Sequence, residues 1–234
     1  MMRLRRWKAG FTLIELLVVI GIIAILASII IPSALTVRER ARRVKCMNSL
    51  REIGTGCTMY SSDFDGYYPS VRPPGSSTSN PMASLALLYD RYVDNPKIFV
   101  CPSTTDNCAD LQPGQSFQPH TSAGTGAGAE RRACSFGYDD TRGINSKSNI
   151  VIAADAPPGG AGAVGTASTK NSDNHFGDGQ NILFYGGNRV LWATTTKNPE
   201  IDTDDIYQAA NPANPAVSDS YVSQGSGTTV GGGG

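Results

Sequence analysis

His175 stands between Asp173 and Asp178, a grouping that could work as acid and base or hold a metal through imidazole and carboxylate. The same spacing fits a histidine at a loop end that hydrogen-bonds the turn, and that is the reading adopted here. His120 is the only other histidine, so catalytic constellations are scarce. Asp202, Asp204 and Asp205 (IDTDDIY) bring together carboxylates suited to a hard cation. They lack the spacing and glycine of an EF-hand loop and read as a solvated charge run. The sequence holds no nucleophile elbow, HExxH or phosphate loop. No reaction and no cofactor are expected of it.

Five cysteines remain: Cys46, Cys57, Cys101, Cys108 and Cys134. Their spacings, C-x10-C and C-x6-C, match no common zinc or redox pattern. In an exported domain one or two disulfides are expected, and an odd count leaves one thiol over or pairs it between chains. On a helix Cys46 and Cys57 would lie about 16 Å apart, too far to bridge each other. Cys101, Cys108 and Cys134 lie close in a loop-rich stretch and are the preferred disulfide candidates.

The elements that must position these groups begin with charge and hydropathy. Residues 1–45 carry nine Lys/Arg against Glu15 and Glu39, a net of +7, and overall neutrality leaves −7 for the remainder. An acidic body behind a basic, apolar N-terminus excludes nucleic acid as the main partner, because phosphate binding needs a basic face. The run Phe11–Ile31 is 21 residues, interrupted only by Thr12, Glu15, Gly21 and Ser28. As a helix it spans about 31 Å, the thickness of a bilayer core. It is too long for the apolar region of a secretory signal, and no A-x-A-like site precedes Pro32. A plain anchor fits the length but gives no reason for Glu15, whose insertion costs roughly 2.5–3.5 kcal/mol.

Gly10, Phe11 and Glu15 together carry a resemblance. GFTLIELLVVIGIIAILA, after the short basic leader MMRLRRWKAG, resembles the N-terminal signature of type IV pilins and type II secretion pseudopilins. The resemblance implies cleavage between Gly10 and Phe11 by a prepilin peptidase and N-methylation of the Phe11 amine by the same enzyme. It implies a bend at Pro32 and calcium as a further possibility at the aspartates 202, 204 and 205. It also places the N-terminus in the cytoplasm, the single span in the inner membrane and the C-terminal domain in the periplasm, before entry into a filament. Charge alone does not set that orientation, since Arg38, Arg40, Arg42, Arg43 and Lys45 make the second flank basic too. In such a filament Glu15 can sit beside the positive N-terminus of a neighbouring Phe11, and pairing two buried charges removes much of the cost of either.

Past the span, Val37, Ala41, Val44, Met47, Leu50, Ile53, Cys57 and Tyr60 recur every three or four residues, an amphipathic stripe. Pro32 should therefore kink the helix rather than end it. The expected helix runs from Phe11 to about Ser62, where Ser62–Gly66 forms a turn cluster. Pro81–Val93 reads as a second helix, Lys97–Cys101 and Asn149–Ala154 as strands, and Asn181–Trp192 as a hairpin about a two-residue Gly186-Gly187 turn. Gly114–Ala129 and Ala156–Ser172 are too polar and glycine-rich to hold a core. Tyr60, Tyr67, Tyr68, Tyr89 and Tyr92 are assigned to core and helix contacts.

The segments 46–69, 99–103, 135–139 and 174–187 resemble prepilin-like proteins of planctomycete-type bacteria, which bear a motif of His, nine residues, then Asp-Gly. His175 and Gly186 keep that spacing, with Tyr185 in place of the Asp. The expected fold is α+β, a long N-terminal helix packed on a small antiparallel sheet. The expected organisation is a leader at 1–10, a membrane or filament-core helix at 11–31, its continuation at 32–62, an ectodomain at 63–198 and a flexible tail at 199–234. The expected function is a structural subunit of a type IV pilus or secretion pseudopilus, partnered by other subunits. The alternative is a membrane-anchored binding module that uses the signal only for sorting.

Overall fold

A computed structural model describes residues 11–71, 80–117, 132–140, 146–157, 171–186, 189–207 and 222. It divides into two compact units, one ending at Ala41 and the other starting at Arg42.

In the first unit, helix α1 (Leu13–Asp63) begins, and it runs on without a break through Pro32. Leu and Ala propagate the helix well, Ile and Val less so, but in a bilayer no other fold of one segment satisfies its own backbone. Pro32 cannot donate to the Ser28 carbonyl, so one helical bond is missing there. The helix tolerates that loss. The apolar side chains along this segment are exposed, Ile14 by 69% and Ile25 by 65%. It is long and apolar enough to cross a membrane.

The second unit starts within α1. Cys46, Leu50, Ile53 and Cys57, spaced by four, three and four residues, are all fully buried. Val37 and Val44, expected on the same stripe, are exposed, so the stripe narrows to this seam. It packs with Met82, Leu85 and Leu88 and with Phe136, Tyr138, Ile152, Ala153, Leu183 and Val190 of the sheet.

That sheet is antiparallel in the order β1 (Phe136–Tyr138), β2 (Val151–Asp155), β3 (Gln180–Phe184), β4 (Val190–Ala193). In β2 the register shifts between Val151 and Ala153. This bulge turns Ile152 and Ala153 to the helix side, against strict alternation. The opposite face, Val151, Ala154, Ile182, Phe184 and Ala193, is covered by Ile206, Tyr207 and Val222. With both faces dry, β2 and β3 are buried at every position.

Four expectations change. The second helix, α2, is only Pro81–Ala86, capped by the Asn80 side chain on the Ala83 N–H. Beyond it Asp90 adopts φ 71° and bonds Val93, a turn that brings Leu88 and Val93 into the core. Lys97–Cys101 is not a strand: Pro96–Phe99 forms a 3-10 turn, because Pro96 starts it and Asn95 accepts from Lys97 N. The hairpin register pairs Leu183 with Val190, and Phe184 N–H bonds Arg189 O, so the connection is longer than Gly186-Gly187. Finally, residues 201–207 are not tail. β6 (Ile201–Asp205) pairs with β5 (Lys197–Asn198), and the buried Ile206 and Tyr207 follow it. Single apolar residues in polar sequence anchor this cover.

Candidate functional site

At the N-terminal end, Thr12 and Glu15 bond reciprocally. Glu15 Oε2 accepts from the Thr12 N–H at 2.9 Å and its hydroxyl at 2.7 Å, while Thr12 Oγ1 accepts from Glu15 N–H at 3.3 Å. Leu13 being the first helical residue, this is a capping box, Thr at the cap and Glu three positions on. The carboxylate expected to act only between subunits thus also starts its own helix, which the T-L-I-E spacing could have revealed. Phe11 is 75% exposed. Gly10 lies outside the described residues.

In the second unit, four chemically capable side chains from four elements converge: Cys46 of α1, Cys101 after the 3-10 turn, Asp155 at the end of β2, and His175. All are fully buried. His175 is placed by the 3-10 turn Asp173–His175, which Ser172 caps through the Asn174 N–H. Gly179 lets the following loop press beneath β4: a Cβ there would come 2.4 Å from Ala193 O and 2.6 Å from the Trp192 ring. Trp192 meets His175 edge-on, with Arg43 over its ring and paired to Asp178.

His175 Nε2 faces Cys101 Sγ at 3.7 Å, Asp155 Oδ2 at 3.4 Å and Asn181 Nδ2 at 3.3 Å. Asp155 accepts from the Asn181 N–H at 2.6 Å, the Asn181 amide at 3.1 Å and the Asn174 amide at 3.2 Å. Burial pushes its carboxyl above the usual carboxylate range, against the opposing pull of His175 and these donors. The carboxylate held against His175 is therefore Asp155, whereas Asp173 and Asp178 are exposed. Sequence reasoning missed Asp155, Asn174 and Asn181, since an aspartate ending an apolar run carries no local signal.

The disulfide joins Cys46 to Cys101, with Cα atoms 5.3 Å apart. The expected pairing among Cys101, Cys108 and Cys134 is corrected on this point: the buried seam of α1 carries Cys46 to the loop holding Cys101. Closing a loop of 55 residues stabilises the unit by about 4 kcal/mol in the chain-entropy account. Cys57, Cys108 and Cys134 stay outside the bridge and are buried. Desolvation pushes the Cys57 thiol up to about 12 and that of Cys108 to about 11. Cys134 is raised well above its ordinary value too. At pH 8 a thiol of pKa 12 is about one part in ten thousand thiolate, the reactive form. Iodoacetamide should therefore label none of the five cysteines in native oxidised protein, three after denaturation, and five after denaturation with reduction. Peptide mapping that finds rapid native labelling of Cys57 would contradict the packing.

His175 and Tyr185 flank β3 at its two ends, separated by about 17 Å of strand. They cannot form a direct pair. Tyr185 stacks on Tyr68, whose hydroxyl accepts from the Gly186 N–H at 3.2 Å, and Gly186 takes φ 97°. Tyr68 is buried, Tyr60, Tyr89 and Tyr92 pack against the core, and Tyr67 is exposed. Asp205 accepts from Thr196 and from the Tyr207 N–H within its own hairpin. The side chains of Asp202 and Asp204, and all of His120, lie outside the described residues.

Residues 8–31 match the family model of the prokaryotic N-terminal methylation motif. Residues 36–85 match a model described as a protein of unknown function (DUF1559). The chain is 38% identical over 64 residues to type II secretion system core protein G of Pectobacterium carotovorum, 27% of this chain and 40% of that protein. It is 47% identical over 58 residues to the type IV wide pilus major component PilA4 of Thermus thermophilus, 25% of this chain and 44% of that one. Against core protein G of Escherichia coli it is 35% identical over 70 residues, 30% and 48% of the two chains. The chain thus spans less than half the length of these curated relatives. No solved structure matches it.

Proposed function

Starting from a chain that is prepilin-like in its methylation motif and its pilin and pseudopilin relatives, we propose that it is a structural subunit of an extracytoplasmic filament. A prepilin peptidase cuts between Gly10 and Phe11 and methylates the new amine. The single observation that carries this reading is the exposed apolar helix that holds one carboxylate, Glu15, at its first turn. An apolar surface of this length needs lipid or like helices around it. A carboxylate there is costly unless a positive group is delivered to it. A methylated Phe11 amine on a neighbouring subunit is such a group. The body from Arg42 onward is the part left outside the membrane, and its disulfide suits an oxidising compartment. The chain is a substrate of its processing enzyme and performs no reaction of its own. Whether it serves a pilus or a secretion pseudopilus is decided by which assembly machinery it requires.

N-terminal mass spectrometry of the native protein tests the proposal. The mature chain should begin at methylated Phe11, and Gly10→Arg should block processing. A mature protein that keeps residues 1–10, or is cut after Ala34, sinks it.

A further inference from the structure

We propose that Cys46, Cys101, Asp155 and His175 form a zinc site in the dithiol form of this protein, mutually exclusive with the Cys46–Cys101 disulfide. One sulfur, nitrogen or oxygen atom from each lies within 4.8 Å of the others. Tetrahedral zinc, with bonds of about 2.3 Å to sulfur and about 2.0–2.2 Å to nitrogen and oxygen, needs S···N edges of about 3.6 Å and N···O edges of about 3.4 Å. The measured Cys101 Sγ···His175 Nε2 and His175 Nε2···Asp155 Oδ2 distances are 3.7 and 3.4 Å. Two edges of the polyhedron are therefore already set. The two sulfurs, now bonded, must part to about 3.8 Å, the S···S edge of the same tetrahedron, while the remaining edges, all within 4.8 Å, settle to about 3.6 Å.

The surroundings favour a cation. His175 Nε2 faces a sulfur, a carboxylate oxygen and an amide donor at once, and a single ring nitrogen either donates one proton or accepts one, so it cannot satisfy all three. A metal at the centre engages the imidazole, the carboxylate and both thiolates together. Two thiolates and Asp155 around a divalent ion leave a net charge of minus one. The Asn174 and Asn181 amides that already donate to Asp155 offset it and hold the carboxylate in place, as groups behind a metal ligand do.

The exchange balances. A dithiol reductant gives two electrons and two protons to the Cys46–Cys101 bond and becomes a cyclic disulfide itself. The two protein thiols then release two protons to solvent as their thiolates bind zinc. Either closure ties α1 to the loop before the sheet, so the joint is made in both redox states. The inference stands on the second unit alone and does not depend on filament assembly.

The experiment uses the full chain in detergent micelles, reduced with a phosphine, loaded with zinc and dialysed, with metal content measured by mass spectrometry. The expected result is one zinc per chain when reduced and none after reoxidation. His175→Gln and Asp155→Asn should each weaken binding by at least about tenfold. Cobalt in place of zinc should give a thiolate-to-metal charge-transfer band and the intense visible bands of a tetrahedral centre. That spectrum needs no variant, so a misfolded variant leaves the test intact. A reduced, folded chain that holds no zinc, or a cobalt complex without the thiolate band, overturns the proposal. So does undiminished binding in the Cys46→Ser, Cys101→Ser double variant.

Discussion

Replacing Asp155 by alanine should destabilise the unit from Arg42 onward by about 3–5 kcal/mol, a large share of the stability of a domain this size. The carboxylate is fully buried and gathers donors from Asn174 and Asn181 beside the His175 ring. Alanine strips the Asn181 N–H of its acceptor in a dry core, and leaves the Asn174 amide only the Ser135 carbonyl and the Asn181 amide only the His175 ring. Asp155→Asn keeps one carbonyl oxygen for the Asn181 N–H and should lie between alanine and wild type. Urea unfolding of the oxidised full chain in micelles, followed by tryptophan fluorescence, measures both. A loss below about 1 kcal/mol for alanine, the value of one ordinary hydrogen bond, would show the network to be dispensable. The pH dependence has a definite sign. The folded carboxyl lies above its unfolded value, so the folded state binds the proton more tightly. This contribution is present at pH below the ordinary carboxylate value and is lost as pH rises to the raised one. Asp155→Asn should flatten that slope.

Glu15→Ala should give a subunit that inserts and is processed yet reaches the surface filament fraction in at least about hundredfold lower yield, since breaking a buried charge pair costs about 3–5 kcal/mol. Insertion itself becomes easier without the carboxylate. The capping box complicates the reading of alanine alone, because the mutation also removes the cap at Thr12. Glu15→Gln separates the two roles. Glutamine can still accept from the Thr12 N–H, so the helix start survives while the charge is lost. If intersubunit charge pairing drives assembly, glutamine fails much as alanine does. Wild-type filament yield from Glu15→Gln, by electron microscopy of sheared surface material, would falsify the pairing argument and leave only the cap.

The parts of this molecule that local sequence encodes were legible. A long, nearly unbroken apolar run is a one-dimensional signal, and α1 begins and ends within about two residues of where Phe11 and Ser62 placed it. The β3–β4 hairpin was visible from its β-prone runs, and only the loop length differed. Local chemistry also misled. The apolar Ile98, Phe99 and Val100 suggested a strand, but Asn95 and Pro96 impose a 3-10 start that outweighs β propensity. The buried cluster was out of reach for another reason. Its members are up to 129 positions apart, from Cys46 to His175. Their meeting depends on which face of α1 is buried, on a bulge at Ile152 and on a loop that Gly179 lets pass under Trp192. None of these is a property of neighbouring residues. The same holds for Ile206 and Tyr207, single apolar residues in polar sequence that become informative only once the sheet shows an uncovered face.

The bond between Cys46 and Cys101 also sets how this protein bears a pull. A tensile load entering along α1 meets a covalent shortcut at Cys46 and passes straight to Cys101. The intervening chain, with nearly the last five turns of α1 and all of α2, carries none of that load. Those residues represent about 190 Å of extended contour that force cannot draw out. What the pull reaches next is the 3-10 segment's exit and the sheet, whose strands must be sheared together or peeled in order. The molecule is thus mechanically shorter than its sequence.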